Sequence, residues 1–156
     1  MKTPIYFDNA DTTPIRDEVI DIMSEVMKNN FGNASSSHSF GRSSKSLIEK
    51  YRKDVAAYFK VSPSEIIFTS GGTEADNLVL QSAARDLGIK TFITSKTEHH
   101  AVLHTLDQLE KEYGVLVLYV NLDEKGVVNY SHLEKLLQSH SNVLVSLMHV
   151  NNEIGN

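Results

Sequence analysis

The stretch IIFTSGGTEADNLVLQSAARDLG (66–88) decides the fold. Its head, Ile66–Ser70, is a short apolar run and reads as a buried strand. Its tail, Ala75–Leu87, repeats apolar residues at helical spacing, with Gly88 just past the end. Between them, Ser70-Gly71-Gly72-Thr73 hands a strand over to a helix. Downstream the alternation continues. Thr91–Ser95 reads as a strand. Val102, Leu103, Leu106, Leu109 and Tyr113 make a helix stopped by Gly114. Val115–Val120 is a strand, Ser131 with Glu134 matches a capping box before LEKLL, and Asn142–Val150 is a further strand. Strand and helix alternate from Ile66 onward, and the strands are continuously apolar. That pattern predicts an α/β fold: a mostly parallel sheet with helices on both faces.

Upstream the reading is helical. Thr13-Pro14 offers an N-cap and an N1 proline, followed by a stripe of Ile15, Val19, Ile22, Met23 and Val26. A second stripe runs Leu47, Ile48, Tyr51, Val55, Tyr58 and Phe59. FGNASSSHSFGRSS (31–44) between them is the best candidate for a long loop. The chain therefore divides into an N-terminal segment, 1–64, and the α/β portion, 65–156.

Bulk properties exclude several functions. The 156 residues suffice for one domain, and 40% hydrophobic with 22% charged residues is ordinary for a globular protein. A net charge of -5 with scattered basic residues argues against nucleic acid as a partner. No apolar run is long enough to span a bilayer, and MKTPIYFDNA lacks the apolar region of a secretory signal. Zero Cys excludes disulfides, thiolate metal sites and a cysteine nucleophile within this chain. Together these features predict a cytoplasmic protein.

In parallel α/β sheets ligands bind outside the carboxyl ends of the strands. Three of those ends here are dense in polar side chains: SGGTE, SKTEHH and HVNNEIG. The SGGT turn suits an anion, because glycines let backbone N–H groups approach closely and a helix N-terminus favours negative charge. It equally suits a plain tight turn with Thr73 as N-cap, and the residues alone leave the two level. It is neither a Walker loop nor a dinucleotide fingerprint. Glu98-His99-His100 could move protons or bind a metal, although adjacent helical side chains diverge; a helix start is the plainer reading. Lys96 is open to a Schiff-base role, but a surface loop lysine explains it better. His149 to Glu153 sets amide donors at a strand end, where turn formation is an equal explanation. His38, His104, His132 and His140 receive no role from their spacing.

YFDNADTTP (6–14), FGNASSSHSFGR (31–42), EIIFTSGGTEADNLVL (65–80), ITSKTEHHAVLHT (93–105) and LVSLMHVNNEIG (144–155) stand in one order. In that arrangement the chain resembles the cysteine desulfurases, in the class V aminotransferase group of pyridoxal-phosphate enzymes (fold type I). The resemblance runs through essentially the whole chain. It implies that Gly72 and Thr73 bind the cofactor phosphate. It implies that His99 stacks on the pyridine ring and moves protons, and that Asn152 lies beside the cofactor and helps hold the substrate. Glu98 and His100 flank His99 without an assigned role, and no metal is implied. Asp11 stands in a loop near the substrate where the family usually has a small residue.

The resemblance further implies that residues 65–156 are the first half of the cofactor-binding large domain. The rest of that domain and the C-terminal small domain are then expected to be absent, with the Schiff-base lysine and the nucleophilic cysteine. Lys96 does not match that lysine, which removes it as a nucleophile. The implied family reaction converts L-cysteine to alanine and an enzyme persulfide. The implied partners are a second copy in a homodimer and sulfur-accepting scaffold or carrier proteins, for iron–sulfur clusters or thio-modified tRNA. This chain alone is expected to be inactive. Alternatives are another class V enzyme, a selenocysteine lyase or a transaminase, and a non-catalytic interaction module.

Overall fold

The computed structural model describes residues 4–156. Residues 1–3, the start of the stretch read for a secretory signal, lie outside them. The chain forms two compact units that divide between Phe68 and Thr69.

The first unit is helical. α1 spans Asp17–Asn29 and α2 spans Ser39–Phe59, followed by a 3-10 turn at Pro63–Glu65. α1 does not start at Thr13-Pro14; Arg16 is its N-cap, with no side-chain cap bond, and Asp17 and Glu18 in the first turn oppose the dipole's positive end instead. The long loop expected over 31–44 is shorter. α2 begins at Ser39 because His38 caps it, its Nδ1 accepting from the Gly41 N–H at 3.3 Å. Gly41 is required there: a Cβ would sit 2.5 Å from the Asn33 carbonyl oxygen. The strand read at Ile66–Ser70 does not form. Ile66 has extended torsions, but the segment pairs with no strand among the described residues, and its backbone bonds go elsewhere: the Ile66 N–H donates to the Pro63 carbonyl at 3.2 Å and the Ser70 N–H to Glu74. Arg52 holds it instead. Its Nη1 donates to the Ile66 carbonyl, and its guanidinium lies 4.7 Å from the Phe68 ring centroid.

The second unit is α/β. α3 (Gly72–Arg85), β1 (Thr91–Thr94), α4 (His100–Tyr113), β2 (Leu116–Tyr119), α5 (Tyr130–Ser139) and β3 (Val143–Val145) follow in order. The three strands form a parallel sheet ordered β2-β1-β3, with Phe92 opposite Val117 and Leu144. The path steps from β1 to β2, then back past β1 to β3. Right-handed crossovers thereby put α4 and α5 on opposite faces. The carboxyl ends of β1 and β3 flank the point where the winding reverses, the usual ligand crevice in such sheets.

β1 is central and buried at all four positions. Phe92 packs with Leu80, Val102, Leu106, Leu109 and Val115 into one cluster; each large side chain removed from water there contributes about 1.5–3 kcal/mol. β3 is shorter than Asn142–Val150, because only Val143–Val145 lies in register with β1. The capping box at Ser131 is displaced. Asn129 is the cap, its side chain accepting from the His132 N–H at 2.9 Å, and α5 begins at Tyr130. Among the described residues no helix is long and apolar enough to cross a membrane.

Candidate functional site

The SGGT turn opens α3 in a way the sequence left undecided. The N-cap is Gly71, not Thr73, and glycine has no side chain with which to cap. Thr73 lies within the first turn, so its N–H belongs to the group of donors that a helix start leaves over. A Cβ built at Gly71 or Gly72 would meet nothing within 4 Å. The turn is therefore open on the side where a ligand would approach. The first ladder bond of α3 runs from the Ala75 N–H to the Gly71 carbonyl at 3.1 Å.

Glu74 is the acid nearest this opening. Its Oε2 accepts from both the Ser70 N–H and the Ser70 hydroxyl, each at 2.6 Å. Those bonds hold its carboxyl below the ordinary glutamate value. Its charge is thus spent on Ser70, one residue before the cap.

α4 begins where β1 ends. His99 is its N-cap, with Nδ1 accepting from the Ala101 N–H at 3.1 Å. That bond sets the tautomer: the neutral ring carries its proton on Nε2, available outside the cap. His100 and His104, one turn apart, stack with ring centroids 5.2 Å apart at 28°.

α3 and α4 lie side by side, and a groove of about 370 Å³ runs between their N-terminal turns. Thr73 and Asn77 line it from α3, and His99, His100, His104 and Gln108 from the α4 side. Thr73 and His99, assigned to one ligand by resemblance alone, meet in this groove. Gly72 directly precedes Thr73 and does not line the groove. Asn152 does not line it; it is exposed beyond β3, where its Nδ2 reaches Glu153 Oε1 at 3.2 Å. Asp11 belongs to the other unit, in a turn where its N–H and that of Thr12 both donate to the Asp8 carbonyl at 3.2 Å.

Two residues that position this region carried no signal that spacing alone could resolve. Glu98 is buried, and its Oε1 accepts from the Met148 N–H at 2.5 Å and the Ser95 hydroxyl at 3.4 Å. It ties the end of β1 to the segment after β3, and burial pushes its carboxyl above the ordinary value. Asn151 is buried beside it. Its Nδ2 donates to the Thr97 carbonyl at 2.7 Å, and its Oδ1 accepts from the Glu153 and Ile154 N–H groups at 2.9 and 3.1 Å. Glu98 and Asn151 also line a cavity of about 120 Å³ with Ser95, Thr97 and Met148. With Glu98 turned to Met148 and His99 Nδ1 held by its cap, Glu98-His99-His100 does not converge on one point. Among the described residues no group of three or more His, Asp or Glu could hold a metal ion.

The donor set fits a phosphate monoester. It offers uncapped N–H groups at a helix start, a hydroxyl at Thr73, two positions free of side chains, and a second helix N-terminus on the same groove. His99 and His100 supply flat rings beside it.

The chain matches the aminotransferase class-V family over residues 5–156. It is 45% identical over 157 residues to the cysteine desulfurase IscS of Dictyoglomus turgidum, a match covering 99% of this chain and 39% of that protein. It is 46% identical over 160 residues to the cysteine desulfurase IscS of Pseudomonas fluorescens, with the same coverage. Among solved structures, a NifS-like protein superposes with a TM-score of 0.89 at 40% identity, over 97% of this chain and 42% of that one. SspA, in complex with cysteine, does so with a TM-score of 0.84 at 32% identity, over 95% and 43%. The chain spans about two-fifths of the length of these relatives.

Proposed function

The chain belongs to the aminotransferase class-V family, and from that premise we propose that it carries the phosphate-binding and ring-facing part of a pyridoxal-phosphate-dependent cysteine desulfurase. The observation that carries this reading is the convergence of Thr73 and His99 on one groove, between two helix N-termini. Gly72 and Thr73 hold the phosphate through backbone N–H groups and the Thr73 hydroxyl. His99 would lie against the pyridine ring, with Nε2 the nitrogen left to move a proton because Nδ1 caps α4. Asn152 belongs to the substrate-facing rim. When bound, pyridoxal phosphate supplies the electron sink for bond cleavage next to the substrate amino group.

L-Cysteine is the proposed substrate. Relatives at 45% and 46% identity are named cysteine desulfurases, and the SspA structure is a complex with cysteine. Alanine and a protein persulfide would be the products, with a homodimer as the working form and scaffold or carrier proteins as sulfur acceptors. Persulfide formation needs a thiolate nucleophile, and this chain contains no cysteine. We propose that the chain on its own binds cofactor reversibly and, lacking a thiolate, forms no persulfide.

The test is a titration of the purified chain with pyridoxal phosphate, followed by absorbance, beside a sulfide-release assay with L-cysteine. Thr73→Val is expected to weaken cofactor binding about tenfold, the size of one hydrogen bond to a charged group. Sulfide release should equal the protein-free control. Release above that control, or a cofactor adduct made permanent by borohydride, overturns the non-catalytic reading. Unchanged affinity in Thr73→Val overturns the phosphate cup.

A further inference from the structure

Asn77 stands one turn after Thr73 in the middle of α3, a poor place for asparagine, whose amide competes with the helix backbone. Its amide makes three hydrogen bonds. Nδ2 donates to the Thr73 carbonyl at 2.8 Å. Oδ1 accepts from the Thr105 hydroxyl at 2.7 Å and from Gln81 Nε2 at 3.4 Å. Thr105 is on α4, 4% exposed, and Asn77 is its hydroxyl's partner. The chain Thr73–Asn77–Thr105 is thus a polar link between α3 and α4. Beside this link the two helices share an apolar cluster, with Leu80, Ala83 and Ala84 from α3 and Val102, Leu106 and Leu109 from α4.

Apolar packing tolerates small slides along a helix axis; a directional hydrogen bond does not. A slide or rotation of α3 against α4 would move Thr73 relative to His99, because Thr73 sits in the first turn of α3 and His99 caps α4. We propose that Asn77 is a positioning residue. Its bridge from the Thr73 carbonyl to the Thr105 hydroxyl sets the spacing between the phosphate-binding turn of α3 and the His99 cap of α4. This inference rests on reading Gly72 and Thr73 as the phosphate cup. Thr105 is the informative end of the bridge: it also lines the groove, but it is 4% exposed and its hydroxyl donates to Asn77, one step removed from Thr73.

The experiment measures affinity of the purified chain for pyridoxal phosphate and for pyridoxal, which lacks the phosphate. The proteins are the parent, Thr73→Val, Asn77→Ala, Thr105→Val, Thr105→Ser and the double variant Asn77→Ala/Thr105→Val. The ratio of the two affinities within each protein cancels any change in the folded fraction. Asn77→Ala and Thr105→Val should each weaken pyridoxal phosphate about threefold to tenfold and leave pyridoxal unchanged. Thr105→Ser, which keeps the donor, should restore the parent ratio. The double variant should be no weaker than Asn77→Ala alone, because both changes break one bridge.

If Thr73→Val lowers the ratio while Thr105→Val and Asn77→Ala do not, the positioning role is overturned and the cup stands. If Asn77→Ala lowers it and Thr105→Val does not, Asn77 acts by direct contact, and the bridge is overturned. If Thr73→Val leaves the ratio unchanged, the cup falls and the positioning role with it. Should Thr105→Val fail to fold, Asn77→Ala, at a half-buried position, and Thr105→Ser carry the decision between them.

Discussion

In the unit that ends at Phe68, α1 buries none of its residues; in the unit that begins at Thr69, α4 buries five. Both helices carry an apolar stripe at the same spacing. Ile22 and Met23 on α1 remain 54% and 49% exposed, whereas Val102 and Leu106 on α4 are 4% and 0% exposed. Helical periodicity marks the face that wants cover, but burial needs an element to provide it. For α4 that element is the sheet with α3, joined through Phe92 and Leu80.

Mutations can break this contrast, and the largest effect belongs to the buried side. Leu106→Ala should cost about 2–5 kcal/mol, and Met23→Ala less than about 0.5 kcal/mol, in denaturant unfolding followed by circular dichroism. Equal costs at the two sites would erase the distinction between the units. Asn151→Ala comes next. It strands the half-buried Thr97 carbonyl and the Glu153 and Ile154 N–H groups, and should cost about 1 kcal/mol. Faster amide exchange confined to 151–156 would mark it as a local tie, and unchanged exchange there would contradict that role.

Thr94→Val should act in the opposite direction. Thr94 is fully buried on β1, and its Oγ1 has no partner among the described residues. Removing that hydroxyl at nearly constant shape should raise stability by about 1 kcal/mol. A loss of similar size would show that the hydroxyl is satisfied.

The smallest effect is a slope with pH. Burial raises the Glu98 carboxyl above its ordinary value, so the folded state holds that proton more tightly than the unfolded state. Its contribution is present below the ordinary glutamate value and is lost as pH climbs through the raised native value. Glu98→Gln keeps an acceptor for the Met148 N–H and should flatten that decline in melting temperature. A parallel decline in both proteins would assign the slope to other groups.

Much of the second unit was legible because its signals are local. The apolar runs at Thr91–Ser95 and Val115–Val120, and Gly88 and Gly114 at the helix ends, act over a few residues; both glycines take positive φ. What the sequence could not show is that the run at 66–70, read as a strand, forms none. An apolar run states a wish to be covered, whereas a strand exists only with a hydrogen-bonding neighbour. The site divided the same way. Thr73 and His99 were marked by motif resemblance, but Glu98 and Asn151 look like ordinary polar residues until their partners, 50 and 54 residues away, are seen.

Sequence by itself determined the alternation of elements, the α/β class and the family to which the chain belongs. Tertiary structure alone decided that Gly71 rather than Thr73 caps α3. It also decided that His99 points Nε2 outward, that Asn151 is buried while Asn152 is exposed, and that Asn77 meets Thr105 across two helices. The physical reason is range. Propensity, capping and apolar spacing act between near neighbours in the chain, whereas satisfying a buried polar atom depends on which distant groups the packed helices and sheet bring within about 3 Å.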